Sequence, residues 1–494
     1  MRELLGTTWS EWRIGFAIGM ILAVGAALVS VWLTPRGPVT TAQALVSMAA
    51  ALLVGIVAGL VTGNRWSKWV TPAVFVVTFE LARLGVDSPT VDAIHLGSTY
   101  GIIAFVLGRL VHAILVLVPM VLGATYGVWL ASLLGREPAV NRGIAGWAVT
   151  GLTTLGLVAL AVAFARPAVT APIVGADGEP LPGSIAEIIT VPIGGHDQAL
   201  MIRGRSVDNP VLLYLAGGPG GTDLGAMRAD TGLEQHFVVV TWEQRGVGKS
   251  YSALDPVETL TVEQMMRDTV ELTNYLRDRF DEDRIYLVGN SWGTILGTLV
   301  VEQHPELFHA YVGTGQMVSP RETDIMFYEN TLAWAERTGN DDLVATLRRN
   351  GPPPYDEPLA YEPAISHEHD WNPYPELDVS KEMPNNLFVP ENTLMDRING
   401  LRSFLDTFSV LYPQIQGIDF RRDAPALEVP VYLVIGAHEA RGRAVPAREW
   451  FDMLGAPSKE MVVFEHSGHR PSFEEPAVFA SLMARVLEET YRSD

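Results

Sequence analysis

Two regimes of hydrophobic patterning divide the chain near residue 166. Before that point apolar residues come in long unbroken runs, and after it short apolar runs alternate with amphipathic stretches. Residues 14–33 hold 20 positions without a charge, residues 37–64 hold 28, residues 110–135 hold 26 and residues 143–165 hold 23. Each reaches the ~20 residues that cross a bilayer as a helix. A weaker run over 69–84 is interrupted by Glu80 and Arg83. Residues 96–108 are apolar but too short to span alone, so they extend the helix that follows or lie at the interface. The pattern predicts an α-helical transmembrane bundle of five spans over residues 1–166, with six as the alternative.

Basic residues beside the spans orient them. With the N-terminus inside, Arg2, Arg13, Arg65, Lys68, Arg136 and Arg142 are cytoplasmic, and Arg36, Arg83 and Arg166 are outside. The reverse orientation exchanges the larger group for the smaller. The expectation is a multi-pass protein of the cell membrane with a cytoplasmic N-terminus and everything after Arg166 extracytoplasmic. The first run is too long for a signal peptide and lacks a small-residue cleavage site, so it reads as an anchor. Glu80, Arg83, Arg109 and His112 read as a buried ion pair with snorkelling neighbours, because no second polar cluster continues an ion path.

Residues 167–184 are rich in Pro and Gly and form a linker of polyproline character. Residues 186–191 and 199–203 predict a hairpin around Gly194-Gly195. Further strands are expected at 211–215, 237–241, 285–288, 310–312, 431–435 and 461–464. Helices are expected at 261–280, 292–304, 446–454 and 476–491. Such alternation predicts a mostly parallel sheet covered by helices, spanning residues 185–494. It breaks at about 319–426, a Pro-rich acidic stretch too long for a plain loop. That stretch predicts an inserted helical cap over the C-terminal strand ends, where open sheets of this kind place their sites.

The chemistry concentrates at those strand ends. Gly289-Asn290-Ser291-Trp292-Gly293 follows a predicted strand and opens a helix, the setting of a nucleophile elbow. A serine needs a base, and in this arrangement acid and histidine follow it in the chain. His469 lies past the last strand and fits the base better than His466, which lies on or near that strand. Glu439, in the loop after the preceding strand, is the only carboxylate between Glu428 and Glu449. It is the candidate acid. The loop Ala216-Gly217-Gly218-Pro219-Gly220-Gly221 lets backbone approach a substrate oxygen. The Gly218 and Trp292 N–H groups are the candidate oxyanion donors.

Gly217-Gly218-Pro219-Gly220-Gly221, the run Trp242-Glu243-Gln244-Arg245-Gly246-Val247-Gly248-Lys249-Ser250, the elbow at Ser291 and Ser467-Gly468-His469 together resemble the prolyl iminopeptidase branch of the α/β-hydrolases. The resemblance covers about residues 185–492. It implies an α/β-hydrolase domain with a helical cap and removal of an N-terminal residue, often proline, from small peptides. Related members cleave esters and other amides. The resemblance carries nucleophile, base and acid to Ser291, His469 and Glu439. Ala216 stands where the pattern has His, Glu243 where it has Asp before Gln-Arg-Gly, and Glu439 where it has Asp. A longer segment, 440–445, precedes Pro446. Such peptidases hold the substrate ammonium with cap carboxylates. Glu322, Asp324, Glu329 and Glu336 are available for that, and the sequence does not choose among them.

Composition narrows the remaining readings. Residues 1–166 carry a net charge of +4 and residues 167–494 a net of −25, which yields the overall −21. So acidic a chain excludes nucleic acid as partner. The absence of cysteine excludes disulfides, thiolate catalysis and Cys-ligated metals. Gly248-Lys249-Ser250 is not a phosphate loop, because Glu243 occupies the position its first glycine requires. Gly217-Gly218-Pro219-Gly220 is not a dinucleotide fingerprint, and His367-Glu368-His369-Asp370 fits no complete zinc pattern. The expectation is a membrane-anchored serine hydrolase, without metal or organic cofactor, acting on a small peptide or ester beside a lipid bilayer. Aminopeptidase, esterase or lipid hydrolase, and a non-catalytic membrane sensor or binding module remain open.

Overall fold

The computed structural model describes residues 2–86, 88–91, 94–134, 143–379 and 382–491, with side chains from residue 13 onward. Arg136, Arg142 and the side chain of Arg2, counted above as cytoplasmic, lie outside the described residues. The chain divides into two compact units, Met1–Pro167 and, leaving aside Thr393–Met395, the remainder.

Among the described residues the first unit holds five continuous helices: α1 Arg2–Leu33, α2 Thr41–Thr62, α3 Ser67–Ala82, α4 Thr99–Leu133 and α5 Ile144–Ala165. Four of them, α1 from Arg13 onward, α2, α4 and α5, are long and apolar enough to cross a membrane. The weaker expected span is α3, only 16 residues. At ~1.5 Å per residue it covers about 24 Å of a hydrocarbon core ~30 Å thick. The short run at 96–108 joins the helix after it through a π-helical stretch, Val106–Leu110. Thr40 and Gln43 form a capping box at the start of α2, and left-handed Gly63 (φ 59°) ends it.

Small residues set the packing of this unit. Gly55 and Gly59 of α2 face Gly123 and Gly127 of α4, two Gly-x-x-x-Gly stripes in contact. A Cβ on Gly55 would lie 2.1 Å from the Met120 carbonyl oxygen, and one on Gly59 would lie 2.3 Å from that of Ala124. A Cβ on Gly123 or Gly127 would lie 2.1 Å from the Leu52 or Ile56 oxygen. Partner numbers rise together along both helices, so α2 and α4 run parallel. Gly15 meets Val61, and Gly19 meets Ala58, so α1 runs antiparallel to α2. Phe75 and Phe79 of α3 pack with Ala27, Ala51, Val116 and Met120. Glu80 pairs with Arg83 and, at 3.4 Å, with Arg109. His112 packs edge-on to Phe79.

In the second unit the described residues form one eight-stranded sheet: β1 Ile185–Ile193, β2 His196–Gly204, β3 Val211–Leu215, β4 Val238–Glu243, β5 Ile285–Asn290, β6 Phe308–Thr314, β7 Val431–Gly436 and β8 Lys459–Phe464. Their spatial order is β1-β2-β4-β3-β5-β6-β7-β8. β1 and β2 form the expected antiparallel hairpin, turned at Gly194 (φ 56°) and Gly195 (φ 78°). From β4 to β8 neighbouring strands are parallel. β3, β4, β5 and β7 are mostly apolar and buried throughout, and β6 is buried at every position except His309, as strands covered on both faces must be. Leu212, Tyr214, Val288, Val312 and Val434 pack on one face with Phe479 and Met483 of the C-terminal helix Pro476–Thr490. Parallel strands bring the ends at Leu215, Asn290, Gly436 and Phe464 to a common edge.

Helical insertions occupy the stretch between β6 and β7, including α6 Pro320–Thr338, Asp341–Asn350 and Leu394–Leu411. One helix differs from expectation. The stretch expected at 446–454 begins earlier, as α7 Arg441–Met453, with Pro446 inside it. Proline has no N–H to give the carbonyl of Gly442 one turn back. That carbonyl instead accepts the Thr323 hydroxyl of α6 at 2.8 Å, so the helix tolerates the proline.

Candidate active site

β5 ends at Asn290, and the helix Trp292–Gln303 begins two residues later. The single residue between them, Ser291, has φ 53° and ψ −117°. A non-glycine residue in that region is strained and persists only where its surroundings over-determine it. Here the Ser291 N–H donates to the Thr314 carbonyl at 3.1 Å. The Thr294 hydroxyl donates to the Ser291 carbonyl at 2.6 Å, and Asn290 Nδ2 donates to Thr314. The flanking glycines are sterically required. A Cβ on Gly289 would lie 2.4 Å from the Gly293 oxygen, and one on Gly293 would lie 2.1 Å from the Leu215 oxygen.

The structure brings three of the expected side chains together. Ser291 Oγ lies 3.0 Å from His469 Nε2, and His469 Nδ1 lies 2.7 Å from Glu439 Oε2. Glu439 follows β7 and His469 follows β8. Glu439 is buried; burial alone raises its carboxyl, but the charges and hydrogen bonds of Arg443 and His469 outweigh it and bring it to about 2. An ionised carboxylate only accepts, so Nδ1 of the imidazole carries a proton, and in the neutral ring that leaves Nε2 as the acceptor facing the serine. The second carboxylate oxygen, Oε1, accepts from the Ala440 N–H and from Arg443 Nε, each at 2.8 Å.

The glycine loop after β3 passes beside the serine. A Cβ on Gly217 would lie 3.3 Å from the Ser291 Cβ. Gly218 has φ 124°. Gln244 ties this loop to the elbow: its Nε2 donates to the Ala216 carbonyl at 3.2 Å, and its Oε1 accepts from Trp292 Nε1 at 3.0 Å. Asp223 accepts from the Gly217 N–H at 3.3 Å and pairs with Arg470, next to His469. Glu243 accepts the Thr222 hydroxyl and the Lys249 N–H, so the buried carboxylate closes the turn that resembles a phosphate loop in sequence.

His466 stands apart, exposed, with Nδ1 3.3 Å from Glu376. The four acidic residues weighed for a substrate amine are committed elsewhere or face solvent. Glu322 pairs with Arg421, Glu336 with Arg348, and Glu329 is exposed. Asp324 is buried, accepting from Tyr412 at 2.6 Å and Gln416 at 2.9 Å, and burial pushes its carboxyl up to about 7. Two other carboxylates between β6 and β7 act on the histidine or on the arginine beside its acid. Glu368 pairs with Arg443, and Glu382 interacts electrostatically with His469 and Arg470 and hydrogen-bonds His369 at 3.2 Å. Neither is selected by any local pattern, since each meets its partner only through the fold. The run His367-Glu368-His369-Asp370 disperses its side chains to Asp370, Arg443 and Glu382. Among the described residues no three His, Asp or Glu groups converge as a metal site.

The sheet order, the serine turn and the loops at the strand ends define an α/β-hydrolase domain. Residues 210–476 match the family described as alpha/beta hydrolase fold, and the chain belongs to that family. It is 32% identical over 315 residues to a Bacillus subtilis (strain 168) protein named probable aminopeptidase YbaC, spanning 61% of this chain and 96% of the relative. It is 24% identical over 317 residues to the proline iminopeptidase of Lactobacillus delbrueckii subsp. bulgaricus, spanning 60% and 96%. The crystal structure of the proline iminopeptidase of Mycobacterium smegmatis matches at 17% identity and a TM-score of 0.40, over 62% of this chain and 98% of that one. The domain thus resembles the proline iminopeptidase branch, and several long apolar helices precede it.

Proposed function

We propose that this protein is a membrane-anchored serine hydrolase that cleaves amide bonds, an aminopeptidase acting on short peptides through Ser291, His469 and Glu439. The observation that carries the reading is the continuous hydrogen-bonded row from Glu439 through His469 to Ser291, ending on a serine held in a strained turn. His469 Nε2 takes the hydroxyl proton as Ser291 Oγ attacks the carbonyl carbon. Glu439 holds the tautomer and stabilises the imidazolium that forms. The developing oxyanion meets the N–H groups of Gly218 and Trp292, the latter at a helix N-terminus whose dipole favours negative charge. His469 returns the proton to the leaving amine, and water, deprotonated by the same base, releases the acyl-enzyme. The aminopeptidase assignment draws on the names of the relatives, and Glu382, whose charge reaches His469, is the candidate to meet a substrate ammonium.

The hydrolase unit is placed outside the cell. The parallel run of α2 and α4 supports this, because two parallel spans need a return crossing between them. The segment that makes it is α3 with the residues up to Thr99, which makes five crossings from a cytoplasmic N-terminus. A reporter fused after Asp494 that is active only in the cytoplasm overturns this orientation.

The test of function is labelling by a fluorophosphonate, followed by a panel of aminoacyl arylamides and p-nitrophenyl esters on wild type and Ser291→Ala. The reading expects labelling and arylamide cleavage that Ser291→Ala abolishes and that acylating the substrate amine suppresses. Ester turnover indifferent to a free amine assigns the enzyme to esterases instead. No labelling of wild type, or labelling that survives Ser291→Ala, sinks the hydrolase reading.

A further inference from the structure

We propose that Arg443 is a positioning residue that ties the cap to the catalytic base: it holds Glu439 against His469 and takes its own counter-charge from Glu368 of the cap. The proposal rests on the Ser291–His469–Glu439 reading given above and adds a charged row behind it. Arg443 lies in the 440–445 segment, where the sequence departs from the prolyl iminopeptidase pattern, so nothing in that pattern assigns it a role.

The Arg443 side chain is 7% exposed. Its Nε donates to Glu439 Oε1 at 2.8 Å, and one Nη pairs with Glu368, which opens the short helix Glu368–Trp371. The ring of Phe327, on α6, covers its face at 4.7 Å. With Oε1 occupied by Arg443 and the Ala440 N–H, only Oε2 is left for the imidazole, which fixes the rotation of the carboxylate. Signs alternate along the row: Glu368 negative, Arg443 positive, Glu439 negative, then the base. Arg443 therefore sets how much of the Glu439 charge His469 feels, and Glu368 sets how much of the Arg443 charge remains to do so. Arg443 is held charged; burial opposes this, and the two carboxylates overcome it. The other groups it senses are Asp324, His369 and Tyr412. His469 also faces Glu382. All of these stay unchanged in the variants below.

Two opposite consequences follow. Loss of the positive charge exposes the base to the full Glu439 carboxylate and favours the imidazolium. Loss of the Glu368 charge leaves Arg443 less neutralised and disfavours it. The measurement is kcat/KM against pH for the full chain with a p-nitrophenyl ester or, equivalently, the rate of fluorophosphonate labelling. The acid limb reports protonation of the base in the free enzyme. Arg443→Gln is expected to lower the plateau about tenfold to a hundredfold and to move the acid limb up by about half a pH unit or more. Arg443→Lys restores the limb, with part of the plateau. Glu368→Gln moves the limb down. A purely structural role lowers the plateau and leaves the acid limb of both variants at its wild-type position, and that result overturns the proposal. If Arg443→Gln does not fold, the sign of the Glu368→Gln shift decides alone. Absence of labelling in wild type, or its persistence in Ser291→Ala, instead removes the hydrolase reading on which this one stands.

Discussion

Replacing Ser291 by glycine should make the protein more stable as well as inactive. The residue sits at φ 53° and ψ −117°, a region that L side chains avoid and glycine enters freely. Strain of this kind stores about 1–3 kcal/mol. Glycine returns ~0.5–1 kcal/mol of that through the greater entropy of the unfolded chain. The net gain is about 0.5–2 kcal/mol, which for a domain of this size is about 1–5 °C in Tm. Ser291→Ala is the reference, because it removes the hydroxyl but keeps the Cβ that causes the strain. The assay is thermal unfolding of the full chain in detergent, followed by near-ultraviolet dichroism of the buried Trp242, Trp292 and Trp450. The expected order of melting is Gly above Ala, with neither variant labelled by a fluorophosphonate. A glycine variant that melts at or below the alanine variant refutes the argument, since the turn would then store no strain to release.

Acid should act on the same site through Glu439. Its carboxyl is lowered from 4.5 to about 2, so its contribution, about 3 kcal/mol, is complete above pH ~4.5 and is lost as pH falls through 2. The stability difference between wild type and Glu439→Gln should therefore shrink steadily below pH 4.5 in denaturant titrations, and a difference constant with pH contradicts the assignment. In the membrane unit, Gly127→Leu places a side chain where a Cβ already lies 2.1 Å from the Ile56 oxygen. It should separate α2 from α4 and lower the melting of the unit in detergent by several degrees, whereas Gly156→Leu, with open space around it, should leave melting unchanged.

Much of this was written locally in the chain. Strands buried on both faces appear as short apolar runs, and the serine turn announces itself because two glycines must flank it for steric reasons. What escaped was written at a distance. Pro446 looks like a helix start until Thr323, far away in sequence, takes up the carbonyl it leaves free. Arg443 is one of several arginines in a polar segment until the fold sets Glu368 beside it, 75 residues away. The acidic residues Glu322, Glu329 and Glu336 stood out by composition, yet two pair with arginines and the third faces solvent. Glycines 55, 59, 123 and 127 are visible in sequence as small-residue stripes, but only the packed bundle says that the two stripes face each other.

That pairing bears on how the protein is made. Two helices in close contact are not consecutive: α2 leaves the ribosome well before α4, with α3 between them in the chain. For the time needed to synthesise the intervening ~60 residues, several seconds at ~5–20 residues per second, the glycine face of α2 has no partner of its own chain. The first helical hairpin must therefore wait in the bilayer with its tightest contact surface open. An insertion partner that shields small-residue faces would find a substrate there during biogenesis.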